Sequence, residues 1–64
     1  MKNTKMTTIF VNDHTSMRVK FEKYSPYFAV GGRFTADGVE YLVRDITVDI
    51  FNLWTRIYFL PVLA

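Results

Sequence analysis

The chain reads as a small all-β domain, an antiparallel five-stranded barrel or curved sheet, and three features of its sequence predict this. Residues 17–22 (MRVKFE) alternate apolar and charged side chains with period two. An Asp-Gly pair, Asp37-Gly38, sits between two segments rich in β-branched and aromatic residues. Turn-forming residues recur about every ten positions, the spacing of short strands joined by tight connections. A length of 64 residues allows a single domain, 1–64, with the polar residues 1–5 expected to be flexible.

Taken in order, residues 7–11 (TTIFV) have the β-branched and aromatic composition of a strand. Residues 12–16 (NDHTS) are turn formers, so 7–11 and 17–22 form a hairpin, with Met17, Val19 and Phe21 on one face and Arg18, Lys20 and Glu22 on the other. Pro26 biases Ser25 toward extended geometry and Gly31-Gly32 tolerates positive φ, so 24–32 is a loop with a short extended centre. A second hairpin follows, with 33–35 and 39–43 flanking the Asp-Gly turn. Val39, Tyr41 and Val43 share a face, but Ile46 and Val48 continue the pattern out of phase, and one extra residue at Arg44-Asp45 explains the slip as a β-bulge.

Residues 49–54 (DIFNLW) form a connection, with Asp49 placed to cap one turn of helix since Ile46, Ile50, Leu53 and Trp54 fit helical spacing. Residues 55–60 (TRIYFL) are the last strand, ended by Pro61, which cannot donate to a central ladder. The Asp37-Gly38 hairpin followed by Tyr41, Val43 and Asp45 resembles the hairpins of SH3-like and OB-like small barrels. A likeness of fold carries no function by itself.

Composition removes several classes. Half of the residues are hydrophobic and the formal net charge is only +2, so the chain has the makings of a folded core and not of a disordered tail. Cysteine is absent, which excludes disulfides, Cys-type zinc sites and thiol nucleophiles and points to the reducing cytoplasm. Residues 1–8 supply lysines but no apolar stretch for a secretory signal. The longest apolar run, 57–64, is interrupted by Pro61 and is far below the ~20 residues of a spanning helix, so no membrane partner is expected.

The candidates for chemistry are few. His14 is the one histidine and stands between Asp13 and Ser16 in a turn, where three near neighbours cannot place nucleophile, base and orienter in line. Asp45 and Asp49, four apart, would lie about 13 Å from each other on a continuous strand, too far for an acid and base pair or a shared metal. Gly31-Gly32 lacks the spacing of a phosphate or dinucleotide loop. No catalytic residue, metal ligand or cofactor is therefore expected, and the chain is read as a non-enzyme.

Binding is the remaining class. The tail from Tyr58 carries no charge, so both faces of the last strand are apolar, and 51–54 adds Phe51, Leu53 and Trp54. Phe51, Leu53, Trp54, Tyr58 and Leu60 are accordingly expected to contact another protein, in the manner of small accessory or inhibitor proteins such as those of bacteriophages. The same strand predicts a homo-oligomer, through edge pairing over 56–62 or through Tyr58 and Leu60 packed against their mates. The alternative is nucleic acid. Residues 1–32 carry five basic side chains against two acids, and Arg18, Lys20 and Lys23 beside Tyr24 and Tyr27 combine phosphate contacts with stacking surfaces.

Overall fold

A computed structural model describes residues 6–62; the expectation for 1–5 lies outside them. Five strands make one sheet: β1 (Thr7–Asn12), β2 (Arg18–Val19), β3 (Arg33–Ala36), β4 (Val39–Asp49) and β5 (Trp54–Pro61). The order across the sheet is β2-β1-β5-β4-β3. The all-β class and the five strands are as expected. The fully antiparallel arrangement is not, because β1 runs parallel to β5, from Thr7 opposite Trp54 to Asn12 opposite Phe59. Nor is the sheet closed into a barrel. The turn formers 12–16 do return the chain as a hairpin, but only Phe10 and Val11 find partners, Val19 and Arg18.

That shortening corrects the expectation of a six-residue strand over 17–22. After Val19 the backbone leaves β1 and crosses to the far edge of the sheet, where Tyr24 makes one antiparallel bridge with Ala36. The Asp37 N–H donates to the Lys23 carbonyl (2.8 Å), and the Asp37 carboxylate accepts from the N–H groups of Glu22 (3.2 Å) and Lys23 (2.9 Å). Ser25 finishes the seam, donating its N–H to the Thr35 carbonyl while its Oγ accepts from the Thr35 N–H. The exposed backbone of an edge strand is thereby covered. Met17, assigned to the inner face by alternation, is instead 66% exposed.

A single sheet needs a second layer to bury a core. Here the layer is the crossing segment together with the curl of the sheet. Strands β1 and β3 are three positions apart, about 14 Å in a flat sheet, yet the rings of Phe10 and Phe34 stack at 5.7 Å. Phe21 and Phe28 close over them, Phe21 at 4.9 Å from Phe10 and Phe28 at 5.1 Å from Phe34. Phe59 and Tyr41 complete the aromatic cluster edge to face, and Ala36, Val43 and Ile57 fill the spaces between.

Two local devices set the register. Asp37 and Gly38 both have positive φ (49° and 82°), the backbone of a tight turn whose twist matches that of the flanking strands. The pairing of β4 with β5 slips between Val43 and Asp45, so the expected bulge is present and keeps Val43 and Ile46 on the same inner face although they are three apart. The connection 50–53 is a turn and not a turn of helix, and the described residues contain no helix. No helix of the described residues is long and apolar enough to cross a membrane.

Candidate functional site

The β4–β5 hairpin ends in Phe51, the most exposed large apolar side chain among the described residues. Phe51 is 91% exposed and Ile50 69%, with Val48 and Leu53 also open to solvent. The turn that carries them is nonetheless fixed. Asp49 Oδ1 accepts from the N–H groups of Phe51 and Asn52, both at 2.9 Å, and Oδ2 accepts from the Asn52 side-chain amide at 2.8 Å. The Asn52 backbone and side-chain hydrogen bonds hold the Asp49 carboxyl below its ordinary range against the opposing effect of desolvation, and the Phe51 N–H adds the smallest contribution in the same direction. Leu53 has φ 59°, a left-handed conformation that an apolar side chain adopts only at a cost in strain.

From this tip, alternate residues of β5 pass along the outer face of the sheet. Trp54, Arg56, Tyr58 and Leu60 are half-buried, flanked by Ile9 and Val11 on β1 and by Thr47, Asp45 and Leu42 on β4. Arg56 lies over the Trp54 ring at 4.5 Å and its Nη1 donates to the Tyr58 hydroxyl at 3.1 Å. The five expected contact residues therefore form one strip, with Phe51 and Leu53 at the tip and Trp54, Tyr58 and Leu60 on the outer face. Because β5 lies between β1 and β4, its backbone is paired on both sides as far as Phe59. Edge pairing is therefore closed over 56–59, where both β1 and β4 pair with β5; from Leu60 on only β4 does.

The basic set is brought together only in part. Arg18, Lys20 and Tyr24 line one cavity beside β2 with Thr8, Ile9 and Phe21. Tyr24 also packs edgewise on Phe10 at 4.9 Å, so much of its ring serves the core. Lys23, exposed and bound to Asp37 only through its backbone, and Tyr27, 85% exposed, do not line the cavity. In the first turn Asp13 lies 3.6 Å from Arg44, and the His14 N–H donates to Asn12 Oδ1. Asp45 and Asp49 occupy the outer face of β4, each bound to backbone N–H groups of its own neighbourhood. Among the described residues no group of three or more His, Asp or Glu side chains is placed to hold a metal.

Two participants went unread in the sequence. Ile50 was assigned to a helical stripe that does not form. Arg56, the single charge in an otherwise apolar strand, was the available signal for a polar role on that face. Comparison with protein-family models, with curated proteins and with solved structures finds no match for this chain.

Proposed function

We propose that the chain is a non-catalytic binding module that docks on another protein through the apolar end of its β4–β5 hairpin. The observation that carries this reading is Phe51, almost fully exposed at the apex of a turn that Asp49 ties down and Leu53 strains. A domain this short has few aromatics to leave outside its core. Covering a phenylalanine side chain is worth about 1.5–3 kcal/mol, the size of an interface anchor. Holding the turn rigid beforehand lowers the entropy lost on docking. Trp54 and Tyr58 extend the same surface with side chains favoured at interfaces.

A module of this kind suits the accessory or inhibitor class, including that of bacteriophages, acting in a cytoplasm where a cysteine-free chain has no need of oxidation. Affinity capture tests it with the parent, with the pair Ile50→Ser and Phe51→Ser, and with Arg18→Gln. The expected result is one stoichiometric partner held by the parent and by Arg18→Gln and lost by the tip variant. Equal recovery by the tip variant, or no stoichiometric partner at all, would overturn the reading. Self-association is expected through Tyr58 and Leu60 packed face to face, and light scattering of Tyr58→Lys should then show a smaller species than the parent.

A second reading, single-stranded nucleic acid, is favoured by the shared cavity of Arg18, Lys20 and Tyr24. It requires affinity that falls steeply with salt. It fails if Arg18→Glu with Lys20→Glu leaves binding unchanged.

A further inference from the structure

A separate cavity of about 350 Å³ opens on the outer face, lined by Val11, Ser16, Arg18, Arg56 and Tyr58. Its construction follows from register. Arg18 stands opposite Val11 across β1 and β2, and Val11 stands opposite Tyr58 across β1 and β5. The three side chains thus form one row with about 4.8 Å between strands, and Arg56 sits one pleat along from Tyr58. Valine is the shortest member of the row, so it forms an apolar floor between two walls that each carry a guanidinium. Ser16 closes the end of the cavity from a left-handed backbone conformation, φ 62°.

The polar groups here are unevenly satisfied. Arg56 gives one of its five N–H donors to Tyr58 and stacks on Trp54, while its Nε is buried without a hydrogen-bond partner among the described residues. The Thr47 hydroxyl, directly across β4–β5 from Arg56, is likewise buried and unpartnered. Neither Arg18 nor Arg56 lies within 4 Å of a carboxylate among the described residues; the ion pairs formed there are those of Arg33 with Glu40 and Arg44 with Asp13. The nearest carboxylate by register, Asp45 opposite Tyr58, turns Oδ1 to the N–H of Ile46 at 2.8 Å. Arg56 is half-buried without a counter-charge, a costly arrangement that an anion offsets; Arg18 is exposed and free to turn toward the same anion.

We propose that this cavity binds a phosphate group, carried by a free nucleotide or by the backbone of a single strand. The Arg18 fork, the remaining terminal N–H groups of Arg56 and the hydroxyls of Ser16 and Tyr58 offer more donors than the two oxygens of a carboxylate can take, whereas a phosphate presents three or more acceptors. Arginine is also the side chain whose planar fork matches phosphate oxygens in pairs. The hairpin tip takes no part in the assignment; the site shares Arg18 with the cavity of Lys20 and Tyr24 and differs from it by Arg56, so Arg56→Lys weakens phosphate binding here while Lys20→Glu does not.

The test is a titration of the ¹⁵N-labelled chain at constant ionic strength with inorganic phosphate, adenosine monophosphate, an oligothymidylate and acetate, following the Arg side-chain Nε–H signals and the amides of Val11, Ser16 and Arg18. Saturable shifts confined to this group are expected with the three phosphate compounds. Arg18→Gln should weaken binding about tenfold, the loss of one charge-assisted contact. Arg56→Lys keeps the charge and loses the fork, so a severalfold weakening with an unchanged spectrum elsewhere is expected as well. If the oligothymidylate binds more than tenfold tighter than the monophosphate, the strand is the source of the phosphate; parity assigns the free compound. Equal response to acetate, shifts that involve Arg33 and Arg44 to the same extent, or curves indifferent to both variants would overturn the assignment.

Discussion

Replacing Asp37 by glycine separates two accounts of the second hairpin. As a turn residue alone, Asp37 at φ 49° should be improved by glycine, which adopts positive φ without strain. In the folded chain, however, its carboxylate accepts from the N–H groups of Glu22 and Lys23 and so pins the crossing segment to the far edge of the sheet. Hydrogen bonds to charged groups contribute about 1.5–3 kcal/mol when well shielded, and about 1 kcal/mol each is a fair value at this exposed position. Relief of the left-handed strain returns no more than about 1 kcal/mol. The net expectation is a loss of about 1–2 kcal/mol, or about 4–16 °C in the melting midpoint of a domain this size. Thermal and guanidinium denaturation of Asp37→Gly, with Asp37→Asn as the variant that keeps the turn and one acceptor, measures it. A glycine variant as stable as the parent would refute the seam as a stabilising element and leave Asp37 a turn residue only.

Phe10 touches the rings of Phe21, Tyr24, Phe28, Phe34 and Phe59. Phe10→Ala should cost about 3–5 kcal/mol, comparable with the whole stability of so small a core, so near-ultraviolet dichroism should report an unfolded chain; a cooperative melt close to the parent's would contradict this. Phe51→Ser, by contrast, should move the midpoint by less than the equivalent of about 0.5 kcal/mol, since it removes an exposed side chain and keeps the backbone N–H that Asp49 accepts from. Asp49 has a depressed pKa in the folded chain, so its support of the tip is complete above the ordinary aspartate value of about 3.9 and is lost as pH falls through the lower folded value. The amides of Phe51 and Asn52 should therefore shift only below about pH 4, and a titration between pH 5 and 8 would contradict the cap.

What the sequence disclosed was local. Asp37-Gly38 announces its turn because both residues tolerate positive φ, the phase slip at Arg44 announces its bulge, and Asp49 announces a cap, all within a few residues of the structure they create. The alternation of Met17, Val19 and Phe21 was misleading for a nonlocal reason. Hydrogen bonds to Asp37 and the bridge to Ala36 draw the backbone off β1 after Val19, and no periodicity within 17–22 encodes that departure. The pairing of Thr7 with Trp54 spans 47 positions and left no trace in either segment. At the candidate site the apolar character of 51–60 was legible. The split between a tip and an outer face was not, because it depends on β5 having neighbours on both sides.

That central place of β5 also dictates when the molecule can assemble. A ribosome delivers residues 7–53 before any of the strand that joins β1 to β4, and until then the Phe10 edge and the β3–β4 hairpin share no ladder. Folding during synthesis therefore waits for the last strand, and the long sequence separation of the β1–β5 contacts places the chain among slow folders. A nascent chain stalled at Leu53 would hold its aromatic side chains open to solvent, as a substrate for chaperones or proteases.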